Sequence, residues 1–341
     1  MSIKIRKKTL FLLSSIIIIY KEVKMKHIFI INPIAGSGKY QIELERSIHK
    51  YFKNEKERYD VYITNGKGDS KHYIEEKCKE NKPYTFYSCG GDGTLHEIIN
   101  VAYKYKHVNV ALIPCGSGND FVKNFTNNNN FFDIASQVNG TVTSVDLVKV
   151  NDKYATSVCN IGFDADVAYN IDKFRKIPFI SGPTRYFLSV LYCLVKKLGN
   201  FLEIKFDDGT IIKNDFLLSV AANGMFYGGG YKCAPYASIN DDLIDVVLID
   251  KVSRFKIINL IKKYKKGEHL IDEAIKKICT YKKCRELLIK SESFINICID
   301  GESYSYDQIN LKIEKEAVNF IIPEGSQLCE QSNLEGEYNF A

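Results

Sequence analysis

Three glycine-rich turns carry the chemistry that can be read from this 341-residue chain. The first is Asn32-Pro33-Ile34-Ala35-Gly36-Ser37-Gly38-Lys39 and the second is Gly90-Gly91-Asp92-Gly93-Thr94. The third is Pro114-Cys115-Gly116-Ser117-Gly118-Asn119-Asp120-Phe121. Glycines let a backbone approach a ligand closely, and their amides, with a helix N-terminus, form a cradle for phosphate. Each turn alone reads equally well as a plain chain reversal. The first is not a Walker A loop, because Pro33 occupies the first glycine position and Tyr40 the Ser/Thr position. It is not GxGxxG either, since Gln41 stands where the third glycine belongs. In the second, Asp92-Gly93 also reads as an ordinary turn, with Thr94 capping the following helix. Three such turns on one face of one sheet favour the phosphate reading.

The elements that must position these turns alternate from Met25 onward. Strands are expected at His27–Ile31, Tyr59–Thr64, Tyr84–Ser88 and Val108–Ile113, with helices at Gln41–Phe52, Ser70–Lys79 and Leu95–Tyr105. This order predicts a doubly wound parallel sheet, whose ligands sit beyond the carboxyl ends of the strands, where all three turns fall. After the polar tract Thr126–Asn130 the texture changes. Strand-like runs follow at Val142–Val150, Tyr154–Ile161, Phe201–Phe206, Phe216–Ala222, Leu243–Ile249, Glu286–Lys290, Phe294–Ile299, Leu311–Ile313 and Val318–Ile322. Asp208-Gly209 reads as a hairpin turn, and helices are expected at Thr184–Leu198 and Val252–Lys266. The second half is therefore expected to be a mostly antiparallel β-sandwich. The expected division is an extension at 1–24, a nucleotide-binding domain at 25–140, a sandwich at 141–322 and a tail at 323–341.

Hydrophobic residues make up 45% and charged residues 26% of the chain, the balance of a globular protein with a core. No apolar run reaches the roughly 18 residues that span a bilayer. The formal charge of +6 does not indicate a nucleic-acid-binding protein. Residues 1–24 hold six cations and one acid, beside an apolar run from Leu10 to Tyr20. This segment reads as an upstream extension ahead of Met25 rather than a membrane anchor, because the run is too short to span. Thirteen lysines and arginines face four acids over 251–290, and the remaining chain is net acidic. The ten cysteines form no CxxC pair, so reduced thiols in a cytosol are a better account than zinc.

The three turns, as NPxxGxGK, GGDGT and PxGSxND in this order and spacing, resemble the diacylglycerol kinase catalytic domain, a superfamily shared with sphingosine and ceramide kinases. The resemblance continues through Gly162-Phe163-Asp164-Ala165, Gly228-Gly229-Gly230 with Pro235, Ile239-Asn240-Asp241-Asp242-Leu243 and Asp300-Gly301-Glu302, and covers about residues 25–322. It implies two domains, with ATP and a lipid hydroxyl meeting in the cleft between them. Asn32, Pro33, Gly36, Lys39 and Thr64 match nucleotide-binding positions, as do Gly90, Gly91, Asp92, Gly93, Thr94 and Ser117. Glu302 matches the general base, following Asp300 in the same motif. Asp92, Asp120 and Asp146 match a carboxylate network around a catalytic magnesium. A second, structural magnesium is implied at Asp241 with the carbonyls of Ser238 and Leu243. The chain departs from the pattern at three places: Asp242 replaces a glycine, Ser117 a threonine and His96 an asparagine.

Val252–Lys266 places Ile257, Ile258, Leu260 and Ile261 among five lysines. It reads either as a basic amphipathic helix at an anionic membrane or as a solvated helix with its apolar stripe packed on the sandwich. The leading function is an ATP- and Mg2+-dependent lipid kinase acting on diacylglycerol or a similar lipid alcohol, cytoplasmic and peripheral to the membrane. Its expected partners are ATP, the membrane lipid and an anionic membrane surface, and a homodimer is compatible with this reading. The alternatives are a sphingosine- or ceramide-type kinase, an NAD kinase, and a nucleotide-binding regulator without catalysis.

Overall fold

The computed structural model describes residues 25–38, 40–175, 182–196 and 198–329. The expected extension at 1–24, the side of the first turn at Lys39 and the chain beyond 329 lie outside the described residues. Strands β1 (Lys26–Ile31), β2 (Tyr59–Ile63), β3 (Tyr84–Gly90) and β4 (Val108–Pro114) run parallel in the order β4-β3-β1-β2. Successive residues of a strand face opposite ways. Ile28, Ile30, Phe86, Val110 and Leu112 meet Ile74, Leu95, Ile98 and Ile99 of the helices Asp69–Lys79 and Asp92–Ala102. Phe29, Ile31, Tyr87, Ala111 and Ile113 meet Leu44 and Ile48 of the helix Tyr40–Tyr51. Cover on both faces is why these strands read as nearly continuous apolar runs.

The second half contains β5 (Thr141–Val150), β6 (Lys153–Ala155), β7 (Val158–Gly162), β8 (Asn200–Phe206), β9 (Ile211–Ala222), β10 (Ile244–Asp250), β11 (Cys279–Cys284), β12 (Glu286–Ile299) and β13 (Glu302–Ile322). These pair antiparallel with one another, and the whole forms one continuous 13-stranded sheet. One face of β7, β9 and β10 encloses Ile161, Phe216, Ala221, Val246 and Leu248 with residues of β12 and β13. The other face, with Val158, Leu218, Val220 and Ile249, is covered by helices through Val167, Cys193, Ile257, Leu260 and Tyr264. The expected fold class, a parallel α/β part followed by an antiparallel β-rich part, is the observed one.

Several expected elements differ in extent. The stretch Tyr154–Ile161 is divided into β6 and β7, because the amides of Thr156, Ser157 and Val158 donate to the Asp300 carboxylate. Four expected pieces near the end are two strands, β12 and β13, interrupted by register shifts between Lys290 and Ile295 and between Glu314 and Val318. The helix Phe163–Arg175 and strand β11 have no counterpart among the expected elements. The basic helix spans Arg254–Lys266, and its stripe of Ile257, Leu260 and Tyr264 is buried. The packed alternative therefore describes that stripe.

Strand β13 connects the two halves. Its first part pairs with β12, and its end pairs antiparallel with β5 and parallel with β4, Phe320 opposite Val110. Residues beyond it return along the polar tract, where Gln327 accepts from the Thr126 amide at 2.8 Å and the Cys329 amide donates to the Asn124 carbonyl at 2.8 Å. All ten cysteines are free thiols. Among the described residues no helix is long and apolar enough to cross a membrane.

Candidate active site

The three turns leave β1, β3 and β4 at their carboxyl ends and touch one another through glycines. Gly36 has φ +57°, and a Cβ there would lie 2.6 Å from the Cys115 carbonyl oxygen. A Cβ on Gly116 would lie 2.4 Å from the Cα of Gly91, so the second and third turns are in backbone contact. Side chains fix the turns from within. Asn32 Nδ2 donates to Thr94 Oγ1 at 3.3 Å, tying the first turn to the second. Asn119 accepts from the Gly116 amide and donates to the carbonyls of Pro114 and Gly116, all at 2.9 Å. The helix after the second turn begins at Asp92, with Gly91 as its cap, and Thr94 makes no side-chain cap. That corrects the capping reading of Thr94: its hydroxyl serves Asn32 instead.

Asp92 reaches across to the third turn, where its Oδ1 accepts from the amides of Asp120 at 2.8 Å and Phe121 at 3.2 Å. Burial raises the Asp92 pKa, reinforced by the charge of Asp120 and opposed by those two amides. Asp120 is buried; one oxygen accepts from the Gly229 amide at 2.7 Å and the other pairs with Lys123 at 2.6 Å. It thus joins the third turn to the triple-glycine turn of the second half. Oxygens of both carboxylates face the open side of Gly118, at 3.1 Å and 3.6 Å from where its Cβ would stand.

Asp300 and Gly301 form the tight turn between β12 and β13, both in the left-handed region at φ 46° and 91°, as a two-residue Asp-Gly hairpin requires. The Asp300 carboxylate accepts from the amides of Thr156, Ser157 and Val158, from the Thr156 hydroxyl, and from His96 at 3.1 Å. Burial opposes its charge, yet these donors hold its pKa below the ordinary value. Both oxygens are committed, so Asp300 positions the hairpin. Glu302 follows it and pairs with Lys67, which extends from the loop after β2.

A single cavity of about 1330 Å³ is lined by all of these parts. At its polar end stand Asn32, Pro33, Gly36, Thr64, Gly91 to Thr94, Ser117, Asp120, Asp300 and Glu302. Its other end is apolar, formed by Leu217, Leu218 and Ile249 of the sheet and Ile257, Leu260 and Ile261 of the basic helix. Between them lies Asp164, accepting from the Tyr227 hydroxyl at 2.5 Å, with its pKa pushed up by burial to about 7.

Five expected site residues stand elsewhere. Gly90 lies under the Thr94 side chain rather than on the cavity wall. Asp146 is not brought to Asp92 and Asp120. Its two oxygens accept from the amides of Glu316 and Asp242 at 2.8 and 2.9 Å, and it holds the corner of β13 against the 239–243 loop. In that loop Ser238 Oγ donates to Asn240, the Leu243 amide donates to Asp241 Oδ1 at 3.2 Å, and Asp241 Oδ2 pairs with Lys283. Lys67, Lys123, Asp164 and Tyr227 were not among the expected site residues. A lone lysine or tyrosine in a loop has no spacing signal, whereas Asp164 lies within a quoted motif.

Residues 26–150 match the family described as the diacylglycerol kinase catalytic domain, and 157–322 match the YegS C-terminal NAD kinase beta sandwich-like domain. Residues 26–150 belong to the diacylglycerol kinase catalytic-domain family. A curated diacylglycerol kinase of Bacillus subtilis is 24% identical over 278 residues, covering 80% of this chain and 88% of the relative. One from Staphylococcus aureus is 26% identical over 277 residues, covering 80% and 84%. The crystal structure of a putative diacylglycerol kinase from Bacillus anthracis shares the fold, with a TM-score of 0.68 at 21% identity, over 88% of this chain and 95% of that one. This member of the family is an enzyme of the lipid-kinase class, and the family implies ATP use.

The glycine contacts separate packing from ligand access. Gly116→Ala forces the second and third turns apart and should lower the melting temperature. Gly93→Ala meets nothing within 4 Å and should melt no lower than the parent. Thermal unfolding of the two variants without nucleotide measures the contrast.

Proposed function

We propose that the protein transfers the γ-phosphate of ATP to the hydroxyl of diacylglycerol or a similar lipid alcohol, giving phosphatidic acid in the first case. The observation that carries this reading is the single cavity, in which a glycine-lined polar end continues into an apolar limb. A soluble dinucleotide has no use for a limb walled by Leu218, Ile249, Ile257, Leu260 and Ile261, whereas an acyl chain buries its methylenes there at about 0.8 kcal/mol each.

Phosphoryl transfer asks a protein mainly for positioning and charge neutralisation. The three turns hold the triphosphate with backbone amides, assisted by Asn32, Thr64 and Ser117. Glu302 accepts the proton of the attacking hydroxyl, held at the polar end by the hairpin that Asp300 locks and by its pair with Lys67. Asp164 and Tyr227 offer a buried polar contact to the lipid where its head meets its chains. Asp92, whose Oδ2 faces the space over Gly118, suits magnesium, which prefers oxygen ligands and keeps several waters, while Asp120, held by Lys123 and the Gly229 amide, supports the loop beside it. When bound there, the ion would offset phosphate charge.

The membrane reading moves from the apolar stripe to the start of the basic helix. Phe255 is 94% exposed, beside Lys256, and Val195 on the neighbouring helix is 75% exposed. Arg254 joins the two helices by donating to the carbonyls of Leu194 and Lys196 at 2.7 and 3.0 Å. These exposed apolar groups with lysines suit an anionic bilayer, from which a lipid enters the apolar limb.

Three measurements test the proposal. Phosphate transfer from ATP, followed across diacylglycerol, sphingosine, ceramide, undecaprenol and NAD, should give product with diacylglycerol; product with NAD alone overturns the reading. Glu302→Gln should lower kcat by about 10²–10⁴-fold, the usual contribution of a general base, with nucleotide affinity and melting temperature nearly unchanged. Near-normal turnover removes Glu302 from the mechanism. Phe255→Glu should weaken binding to anionic phospholipid vesicles by about tenfold or more, as expected when about 1.5–3 kcal/mol of phenylalanine burial is lost.

A further inference from the structure

A second set of carboxylates lies away from the cavity, where the 236–243 loop enters β10. Asp245 on β10 is fully buried, and Asp241 and Asp242 precede it in the loop. The family pattern expects a magnesium ion here, on Asp241 and the carbonyls of Ser238 and Leu243. In this chain a cation of the chain itself reaches these oxygens. Lys283 on β11 stands directly opposite Asp245 in the antiparallel register, so both side chains leave the sheet on the same face. Its Nζ lies 2.8 Å from Asp241 Oδ2, 3.0 Å from the Tyr236 carbonyl oxygen and 3.4 Å from Asp245 Oδ2. The side chain of Lys283 is 19% exposed, and the Tyr281 hydroxyl donates to the other oxygen of Asp245.

Asp242, which replaces the family's glycine, has its own partner. It takes the left-handed conformation that the glycine would have, at φ 63°, its amide donates to Asp146 Oδ2 at 2.9 Å, and its carboxylate pairs with Lys315. The loop is therefore held by two lysines and one buried carboxylate. Magnesium takes its oxygens at about 2 Å, so an ion on the Asp241 oxygen that Lys283 contacts would stand within about 5 Å of the ammonium. Two like charges in one small, largely buried space repel strongly, and the residues present do not fit the ion.

We infer that Lys283 takes the place of the family's structural magnesium, so that the 236–243 loop is held without a divalent ion. Any magnesium dependence of this protein then arises at the cavity and from the nucleotide. Burying an ammonium is tolerable only because two carboxylates and a carbonyl surround it, and the same surroundings would be left uncompensated without it.

The test is thermal unfolding of the full chain without nucleotide, in EDTA and in excess magnesium chloride. The Asp92→Asn protein, which lacks the cavity's carboxylate pair, should melt at the same temperature in both. Lys283→Met in that background should melt several degrees lower in EDTA and regain part of the loss with magnesium, because the vacated oxygens can then take the ion. The inference is overturned if Asp92→Asn is stabilised by magnesium with Lys283 in place. It is also overturned if Lys283→Met is as stable as its parent, or is destabilised without any response to magnesium. Should Lys283→Met fail to fold, the first comparison, which leaves Lys283 untouched, decides alone.

Discussion

The pairing of β13 with β4 is the contact on which the site depends. An unbroken strand of 21 residues would run roughly 65–70 Å, far beyond any one cavity. The irregularity between Glu314 and Val318 re-aims it, and Glu316, left-handed at φ 45°, gives its amide to Asp146 at that corner. One end of the strand then presents Glu302 to the cavity. The other packs Phe320 against Phe125 and edge-on to Phe121, with centroids 5.7 and 5.1 Å apart. Phe121 is the residue whose amide, with that of Asp120, orients Asp92. A single strand thus sets the position of the acidic hairpin and supports the third glycine turn from below.

Charge joins the halves where the strand does not. Asp120 belongs to the third turn, yet one of its oxygens is satisfied by the Gly229 amide from the second half. Asp300 belongs to the β12–β13 turn and is satisfied partly by His96 from the helix after the second turn. Buried carboxylates of this kind are costly unless every oxygen has donors, so each fixes a distance between elements that do not touch by hydrophobic packing alone.

The first half was legible because β1, β3 and β4 are buried on both faces and its helices carry a 3.6-residue stripe. The second half was legible in pieces. Strand β13 has polar residues alternating through Ser303, Ser305 and Asp307, so only its apolar later runs registered as strand. Strand β11, with Lys282 and Lys283 among its six residues, has the composition of a charged edge, and both lysines turn out to be partly buried. The helix from Phe163 opens on two aspartates with no apolar period before them, so nothing local announced it. At the site, the glycine turns were readable from residue type, Glu302 only through its family motif, and Lys67 not at all. Asp146 shows the limit of motif transfer: its sequence position matches a carboxylate network, and only the fold reveals that backbone amides occupy both of its oxygens.

The two-ended cavity also bears on how the proposed reaction would finish. Substrate and product have the same acyl chains, so the apolar limb holds both equally and cannot distinguish them. The difference is a phosphate carrying about −1.5 to −2 charges, formed among Asp92, Asp120, Asp300 and Glu302. On the proposed reading, expulsion would fall to electrostatics at the polar end, while the apolar limb, indifferent to the chemistry, would keep the molecule aligned as it leaves.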